Sequence, residues 1–466
     1  MRQNTTFRLT LLALALSLAG CAVGPAYVRP EAPPSAAFKE LDGWVPAAPA
    51  DALERGPWWQ LFGDPLLDQL VAGVEVSNQN VAAASANYAQ ARAAVAQQRA
   101  ALFPTVSLNL SGDRSGVRSQ GADNSYRLNL GGSWEPDVWG RLRAGVTSAQ
   151  AGLEASAADL ASARLSSQGE LASNYFTVRA LDAQSALLAR TIAGYERELQ
   201  ITQNRFNVGI AARTDVLQAQ TQLASARSDA LSLARQRAQF EHAIAILVGK
   251  APSEFTLAAS PDWRVTVPEV PVGVPATLLQ RRPDIAAAER DVAAANAEIG
   301  IARAAYFPNI GLSGSLGSGG SRVGDLFSVS NAAWSFGLSA AQSVFNAGAI
   351  RASVAGAEAR QQAAVARYRQ TVLNAFADVE DQLAATRVLA QQQELRRQAS
   401  EAADLVEQQI MNRYRAGQVG YTEVVQAQAT ALNARRSLVQ VQSDRQTVAV
   451  ALIQSLGGGW QAGAAP

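Results

Sequence analysis

The 466-residue chain holds one cysteine, Cys21, and one histidine, His242. These residue types carry most metal ligation and most thiol or imidazole catalysis, so the chemistry open to a single copy is narrow. A zinc centre built from Cys and His needs several such ligands and is excluded within one chain. A Cys–His nucleophilic pair would have to use both residues. His242 reads as a packing or solvent-facing side chain. Serines recur around 105–111 and 309–317, but no His–Asp base accompanies them. Gly317-Ser318-Gly319-Gly320-Ser321 lacks the third glycine of a dinucleotide loop, and there is no Walker loop. Arg281-Arg282-Pro283-Asp284 could be mistaken for a basic binding site. Pro283 suits the first turn of a helix and Asp284 its positive end, so the segment reads as a structural joint. Lys and Arg number 40 against 39 Asp and Glu, a net charge of +1. That balance offers nothing to neutralise nucleic-acid phosphates. No catalysis, cofactor, resident metal or nucleic-acid partner is expected.

Cys21 instead sits at the end of an address. Arg2 and Arg8 precede an apolar run over 9–19, too short to span a bilayer but right for a signal-peptide core. The run ends in Leu18-Ala19-Gly20-Cys21, which resembles the bacterial lipobox. The resemblance implies cleavage before Cys21 and a lipid anchor there, an S-diacylglycerol and an N-palmitoyl group. Acyl chains add membrane affinity through their buried methylenes, and three make a stable anchor. The alternative is an ordinary secretory signal. Ala rather than Asp at position 22 favours the outer membrane, by resemblance to sorted lipoproteins. Removing residues 1–20 takes away two Arg and no acid, leaving 38 basic against 39 acidic residues.

The elements that follow repeat. Arg205-Phe206-Asn207-Val208-Gly209 matches Arg413-Tyr414-Arg415-Ala416-Gly417. Thr214-Asp215-Val216-Leu217-Gln218-Ala219-Gln220 matches Thr422-Glu423-Val424-Val425-Gln426-Ala427-Gln428, and Gly249 falls on Gly457. Ala101-Leu102-Phe103-Pro104 pairs with Ala305-Tyr306-Phe307-Pro308, while Trp139-Gly140-Arg141 corresponds loosely to Phe345-Asn346-Ala347. The chain is a tandem duplication of roughly 200 residues per unit. In each unit a helical run leads to Phe-Pro and two short alternating segments. A very long helical run then reaches a Gly turn, and another helix returns. The first long run, about 140–207, contains no Pro and would extend roughly 100 Å as a helix. Such a helix must be a bundle or coiled-coil stave. Leu217, Ala224, Leu231, Ala238 and Ala245 recur every seven residues, as do Val425, Leu432, Val439 and Ile453, with Gln446 the exception. That period implies left-handed supercoiling and stave packing. Thr214 and Thr422 are expected to cap the returning helices, with Asp215 and Glu423 in their first turns.

The alternating segments read as membrane strands. Val106, Leu108 and Leu110 share one face and Thr105, Ser107, Asn109 and Ser111 the other. Tyr126, Leu128, Leu130 and Trp134 alternate with Arg127, Asn129, Gly131 and Ser133. The second unit repeats the pattern with Ile310, Leu312 and Leu316, then Trp334, Phe336 and Leu338. Period two over roughly 8–10 residues is the transmembrane β length. Phe103, Trp134, Trp139, Phe307, Trp334 and Phe345 would form an aromatic girdle at the interfaces. A bilayer tolerates no open sheet edge, and four strands cannot close a barrel. Two copies would give a side-chain-filled barrel, whereas three would give twelve strands and a lumen. The three-copy solution suits a pore.

The chain resembles the TolC-like outer-membrane factors, most closely their lipoprotein (NodT-type) branch. Trp58-Trp59-Gln60-Leu61-Phe62-Gly63-Asp64 and Leu278-Leu279-Gln280-Arg281-Arg282-Pro283-Asp284-Ile285 carry the resemblance, with Ala288-Glu289, Ala294-Ala295-Asn296-Ala297, Ile299-Gly300, the lipobox and the two Gly turns. It implies a mainly α chain with a transmembrane β part: a homotrimeric, twelve-stranded β-barrel continued by a twelve-helix α-barrel. The implied function is passive export across the outer membrane in a tripartite pump, with a periplasmic adaptor and an inner-membrane RND-type transporter as partners. The implied layout is a signal peptide at 1–20 and a lipid-anchored, equatorial segment at 21–63. Repeat 1 follows at 64–250 (strands about 105–111 and 125–134, tip about 205–214) and an equatorial linker at 251–283. Repeat 2 covers 284–457 (strands about 309–317 and 333–341, tip about 413–422), with a tail at 458–466. The tips would form the periplasmic mouth, with Arg205, Gly209, Arg213, Asp215, Arg413, Tyr414, Arg415, Gly417 and Glu423 as the gate and adaptor-contact residues. Gln218 and Gln426 stand where some relatives carry Asp. The alternatives are the exit duct of a type I protein-secretion or metal-ion efflux system and, from another class, a lipid-anchored coiled coil without a pore.

Overall fold

The computed structural model describes residues 23–31, 38–41, 57–117, 121–261, 263, 265–268, 270 and 281–458. The signal peptide, Cys21 and the tail from 459 lie outside the described residues, as does 271–280. Among the described residues seven helices and four strands follow one another twice over: α1 (Pro65–Ser77), α2 (Gln79–Ala100), β1 (Thr105–Val117), β2 (Gly121–Trp134), α3 (Arg141–Asn207) and α4 (Arg213–Leu247), then α5 (Pro283–Ala304), β3 (Asn309–Gly320), β4 (Ala332–Ala341), α6 (Ala349–Arg415) and α7 (Tyr421–Ser455). The two long helices have 67 residues each and the two returning helices 35 each. Among the described residues no helix is long and apolar enough to cross a membrane. The chain divides into two compact units. One holds 86–157 and 287–370 with the N-terminal stretch; the other holds 158–286 and 371–466 with residues from 33 to 85.

The first unit is built on a four-stranded antiparallel sheet in the order β1-β2-β3-β4. Its register aligns the apolar residues of all four strands on one face. Leu108 opposes Leu130, Leu130 opposes Leu316, and Leu316 opposes Trp334. The next rows run Val106–Gly132–Gly314–Phe336 and Trp134–Leu312–Leu338. Most of this face is exposed in the single chain, with Trp334 at 79% and Leu108 at 68%, while Leu128, Ile310 and Leu312 are half-buried. The opposite face carries Ser107, Asn109, Asn129, Gly131, Ser313, Ser315, Ser335 and Ser339, with the Ser315 and Ser335 hydroxyls 2.8 Å apart. The first hairpin is longer than the alternating pattern suggests. Its ladder continues through Gly112–Tyr126 and Ser115–Asp123 to Val117–Gly121, because backbone pairing needs no apolar alternation.

An N-terminal strap lies on this unit. The Val23 amide donates to the Trp139 carbonyl at 3.4 Å, Asn296 Nδ2 to the Pro25 carbonyl at 3.0 Å, and Tyr27 Oη to Glu289 Oε1 at 2.7 Å. Gly24 and Gly300 meet backbone to backbone; a Cβ on Gly24 would sit 3.1 Å from the Gly300 Cα.

In the second unit Trp58–Phe62 forms a 3₁₀ turn that ends on Gly63 in the left-handed region, φ 65°. Asp64 then caps α1 through the Leu66 and Leu67 amides and accepts from Tyr175 Oη at 2.5 Å. Asp182, almost fully buried, accepts from Arg179, Arg237 and the Ser260 amide, pinning the segment after α4 to α3. Arg282 bridges Asp284, Asp378 and the Ser455 carbonyl, so Arg281-Arg282-Pro283-Asp284 is a joint between elements.

Two expectations are corrected here. The stripe Leu217, Ala224, Leu231, Ala238 and Ala245 is packed only toward its end: Leu217 and Leu231 are 51% and 75% exposed, whereas Ala238 is half-buried and Ala245 buried. Ahead of Ala238 the buried residues lie on neighbouring stripes: Val216, Ala219, Leu223, Ala226 and Leu233, several of them packed against Leu181, Leu188 and Tyr195 of α3. Adjacent stripes share the same period, so period alone does not choose between them. Val425 and Leu432 are half-buried partners of the core clusters, and Gln446 is buried. Second, Thr214 and Thr422 do not cap. The N-cap residues are Ala212 and Gly420, neither with a side-chain bond, so each Thr sits inside its first turn beside Asp215 or Glu423.

Candidate functional site: the helical turns and the apolar sheet face

The two turns are the same structure made twice. Gly209 and Gly417 take φ 78° and 75°, a conformation that glycine alone adopts freely. The Gly209 amide reaches the Phe206 carbonyl and the Ile210 amide the Arg205 carbonyl; Gly417 to Tyr414 and Gln418 to Arg413 repeat both bonds. These paired bonds are Schellman closures that satisfy the last carbonyls of α3 and α6.

Around the turns the packing is aromatic. The Arg205 guanidinium lies 5.0 Å from the centre of the Tyr414 ring, and the Tyr414 and Tyr421 rings are 5.6 Å apart. Tyr421 is buried with Ala219 and Val424, against Leu199, Ile410 and Met411. Burial pushes its phenol well above the usual tyrosine range, with Glu198 adding to the rise. Arg213, Arg413, Arg415 and Glu423 are exposed and Asp215 half-buried. Among the described residues none of these five forms an ion pair within the chain. These arginines and carboxylates therefore form no ion pair with one another inside one copy, among the described residues. Thr422 Oγ1 does reach Gln218 Oε1 at 3.4 Å, joining the two returning helices.

Sequence reasoning missed Tyr195, Glu198, Tyr421 and Gln428. Glu198 Oε1 and Oε2 accept from Gln428 Nε2 at 2.7 and 2.8 Å. Gln428 stands in the repeat position of Gln220, which marked a match but not a contact. A groove of about 610 Å³ between α4 and α7 is lined by Leu217, Gln218, Gln222, Val425 and Arg436, with Tyr195 of α3.

At the sheet, Phe103, Trp134, Trp139, Phe307 and Phe345 lie at or next to the strand ends nearest the helices, whereas Trp334 lies in the row of Leu316. Trp134 and Trp139 donate their indole N–H groups to the Leu102 and Pro308 carbonyls, and Trp139 stacks on Phe307 at 4.9 Å. Trp139 is thus tied into the protein, while Phe345 is 89% exposed.

A sheet greasy on one face, hydrophilic on the other and open at both edges, in a chain of long paired helices, defines a membrane-spanning β component of an oligomeric duct. The profile for "Outer membrane efflux protein" matches residues 70–250 and 274–458. The chain belongs to the outer membrane efflux protein family, and it is an outer-membrane channel component. It is 34% identical over 463 residues to the toluene efflux pump outer membrane protein TtgC of Pseudomonas putida, covering 97% of this chain and 95% of the relative. It is 33% identical over 471 residues to the pyoverdine export outer membrane protein OpmQ of Pseudomonas aeruginosa, covering 97% of each. Among solved structures, the open state of the MtrE outer membrane channel of Neisseria gonorrhoeae superposes with a TM-score of 0.85 at 30% identity, covering 96% of this chain and 100% of that one.

Proposed function

We propose that three copies close a twelve-stranded barrel and form the passive exit duct of a tripartite efflux pump for small toxic compounds. The observation that carries this is the register. One predominantly apolar face and one Ser/Gly/Asn face, on a sheet with two unpaired edges, fit only a closed barrel in lipid with a wet interior. The exposed stripe through Leu217 and Leu231 is then available for helix packing between copies. Glycine and serine opposite the lipid face suit passage of varied cargo. The duct does no chemistry; a periplasmic adaptor and an inner-membrane RND-type transporter supply energy and direction. The test is crosslinking in cells followed by purification. A trimer with a co-purifying adaptor and transporter supports the reading, and a monomer or dimer overturns it.

The turns around Gly209 and Gly417 serve in this reading as the periplasmic mouth, where adaptor contact favours a dilated arrangement by differential affinity. Arg213, Arg413, Arg415, Asp215 and Glu423, without ion-pair partners among the described residues of one copy, would pair between copies. Arg415→Glu is expected to raise the resting conductance of the trimer in planar bilayers severalfold. An unchanged resting conductance overturns the latch.

Cys21 is the lipid anchor in the same reading. Val23 lies among the described residues, and its amide donates to the Trp139 carbonyl beside the aromatic end of the sheet. Cys21→Ala is expected to abolish incorporation of labelled palmitate. Full labelling of that variant overturns the assignment.

A further inference from the structure

Where the ends of α3 and α7 meet, one hydrogen-bonding pair is left half made. Gln428 is 5% exposed, and its Nε2 faces both oxygens of Glu198. Its Oε1 is buried with no donor, an arrangement that is costly in a packed interior. A carboxylate has no proton to offer that oxygen; a carboxylic acid does. With one proton taken from solvent, Glu198 donates O–H to Gln428 Oε1 while Gln428 Nε2 donates to the remaining carboxyl oxygen. Two reciprocal bonds then replace one shared donor, and no other group changes its charge. Reaching that geometry needs only rotation about the terminal torsions of the two side chains, which are soft.

We propose that Glu198 and Gln428 form a proton-operated clamp that ties the end of α3 to the start of α7 and tightens the tip in acid. The surroundings favour the neutral acid. Burial pushes the Glu198 carboxyl above the usual carboxylate range; the bond from Gln428 opposes this, Glu407 adds to it, and Arg415 opposes it. From α6, Glu407 is engaged by Arg435 of α7 at 2.6 Å, and Asp404 holds the same Arg at 2.7 Å, so this cation is already neutralised. From α7 the buried Tyr421 stands nearby, acted on also by Asp215 of α4. On α3 itself Tyr195 accepts influence from Glu198 and bonds to Gln222 of α4. A carboxyl whose pKa is higher in the packed tip than in a loosened one takes up a proton on closing. Acid therefore favours the packed state, and the effect fades as pH rises through the packed-state value.

The clamp rests on the reading of these turns as a mouth only for its use, so its test reads the tip directly and not the channel. Deuterium uptake of peptides covering 199–212 and 414–428 is measured on the mature protein in detergent at pH 5 and pH 8, corrected for intrinsic exchange. Wild type is expected to gain protection in acid, by up to about tenfold per pH unit in the steepest range. Glu198→Gln keeps an amide in place of the neutral acid and is expected to be protected at both pH values; Gln428→Leu is expected to be unprotected at both. A wild-type pH response retained in Glu198→Gln, or none in wild type, overturns the clamp. The Arg415→Glu conductance experiment bears on the mouth reading and is no part of this test, because Arg415 also acts on Glu198.

Discussion

Gly249→Ala is expected to destabilise each copy by about 2–5 kcal/mol, enough to cost most of the assembled protein. Gly249 sits just past α4 with φ 70°, and a Cβ built there would lie 2.3 Å from the Ser77 carbonyl oxygen. The contact is with backbone, and it sits in a joint that cannot slide. Asn78 beside it donates Nδ2 to the Leu247 carbonyl at 2.9 Å and caps α2 through the Asn80 and Val81 amides. The left-handed conformation alone costs an alanine roughly 1–2 kcal/mol, and forced overpacking adds about 1–3. Its repeat equivalent Gly457 has φ 91° and a prospective Cβ 2.6 Å from the Arg281 carbonyl oxygen, so Gly457→Ala should behave alike. Gly209 and Gly417 are the controls: the same sign of φ with nothing within 4 Å. Their alanine variants carry the conformational cost alone. Heat-induced loss of the assembled oligomer on mild gels and thermal unfolding by circular dichroism would rank the four. Equal losses at Gly209 and Gly249 would sink the steric account.

These glycines show why much of the fold could be read from residues and spacing. A breaker that must be glycine, a period-two run and a pair of matched turns are local facts, written within a few residues of one another. The faces of β1 through β4 follow from alternation, and the register then only had to align rows already sorted. What required the structure was the choice between equivalent neighbours. The stripe through Val216 and Leu223 and the stripe through Leu217 and Leu231 differ by one residue, and only the neighbouring helix decides which is covered. The same holds for Thr214 and Thr422, good capping residues placed two positions too far along because Ala212 and Gly420 already hold extended backbone. Tip chemistry was legible in type but not in pairing. Arg205 finds the Tyr414 ring and not a carboxylate, and Glu198 meets Gln428 across 230 positions of sequence. Trp139 reads as interfacial from its place among the aromatics at the strand ends, yet its indole N–H is taken up by the Pro308 carbonyl.

The sheet yields the sharpest contrast, because neighbours in one strand have opposite fates. Leu130→Arg is expected to prevent stable insertion, while Asn129→Arg should assemble normally and change the current. Leu130 lies in the row Leu108–Leu130–Leu316–Trp334, the one row in which all four strands present large apolar side chains. An arginine there faces hydrocarbon, at about 2–4 kcal/mol near the bilayer midplane, and in a closed trimer the cost is met three times. Asn129 lies in the next row, opposite Asn109 and Gly317, on the face of hydroxyls, amides and glycines. An arginine on that side keeps its water. Three such cations around one lumen narrow it and repel cations, so single-channel conductance should fall and the reversal potential in a salt gradient should shift toward anion preference. Fractionation and heat-modifiability report insertion, and bilayer recording reports the lumen. Equal assembly of both variants would mean that neither face meets lipid. Loss of assembly in both would mean that the polar face is packed and dry, and the twelve-stranded duct would have to be abandoned.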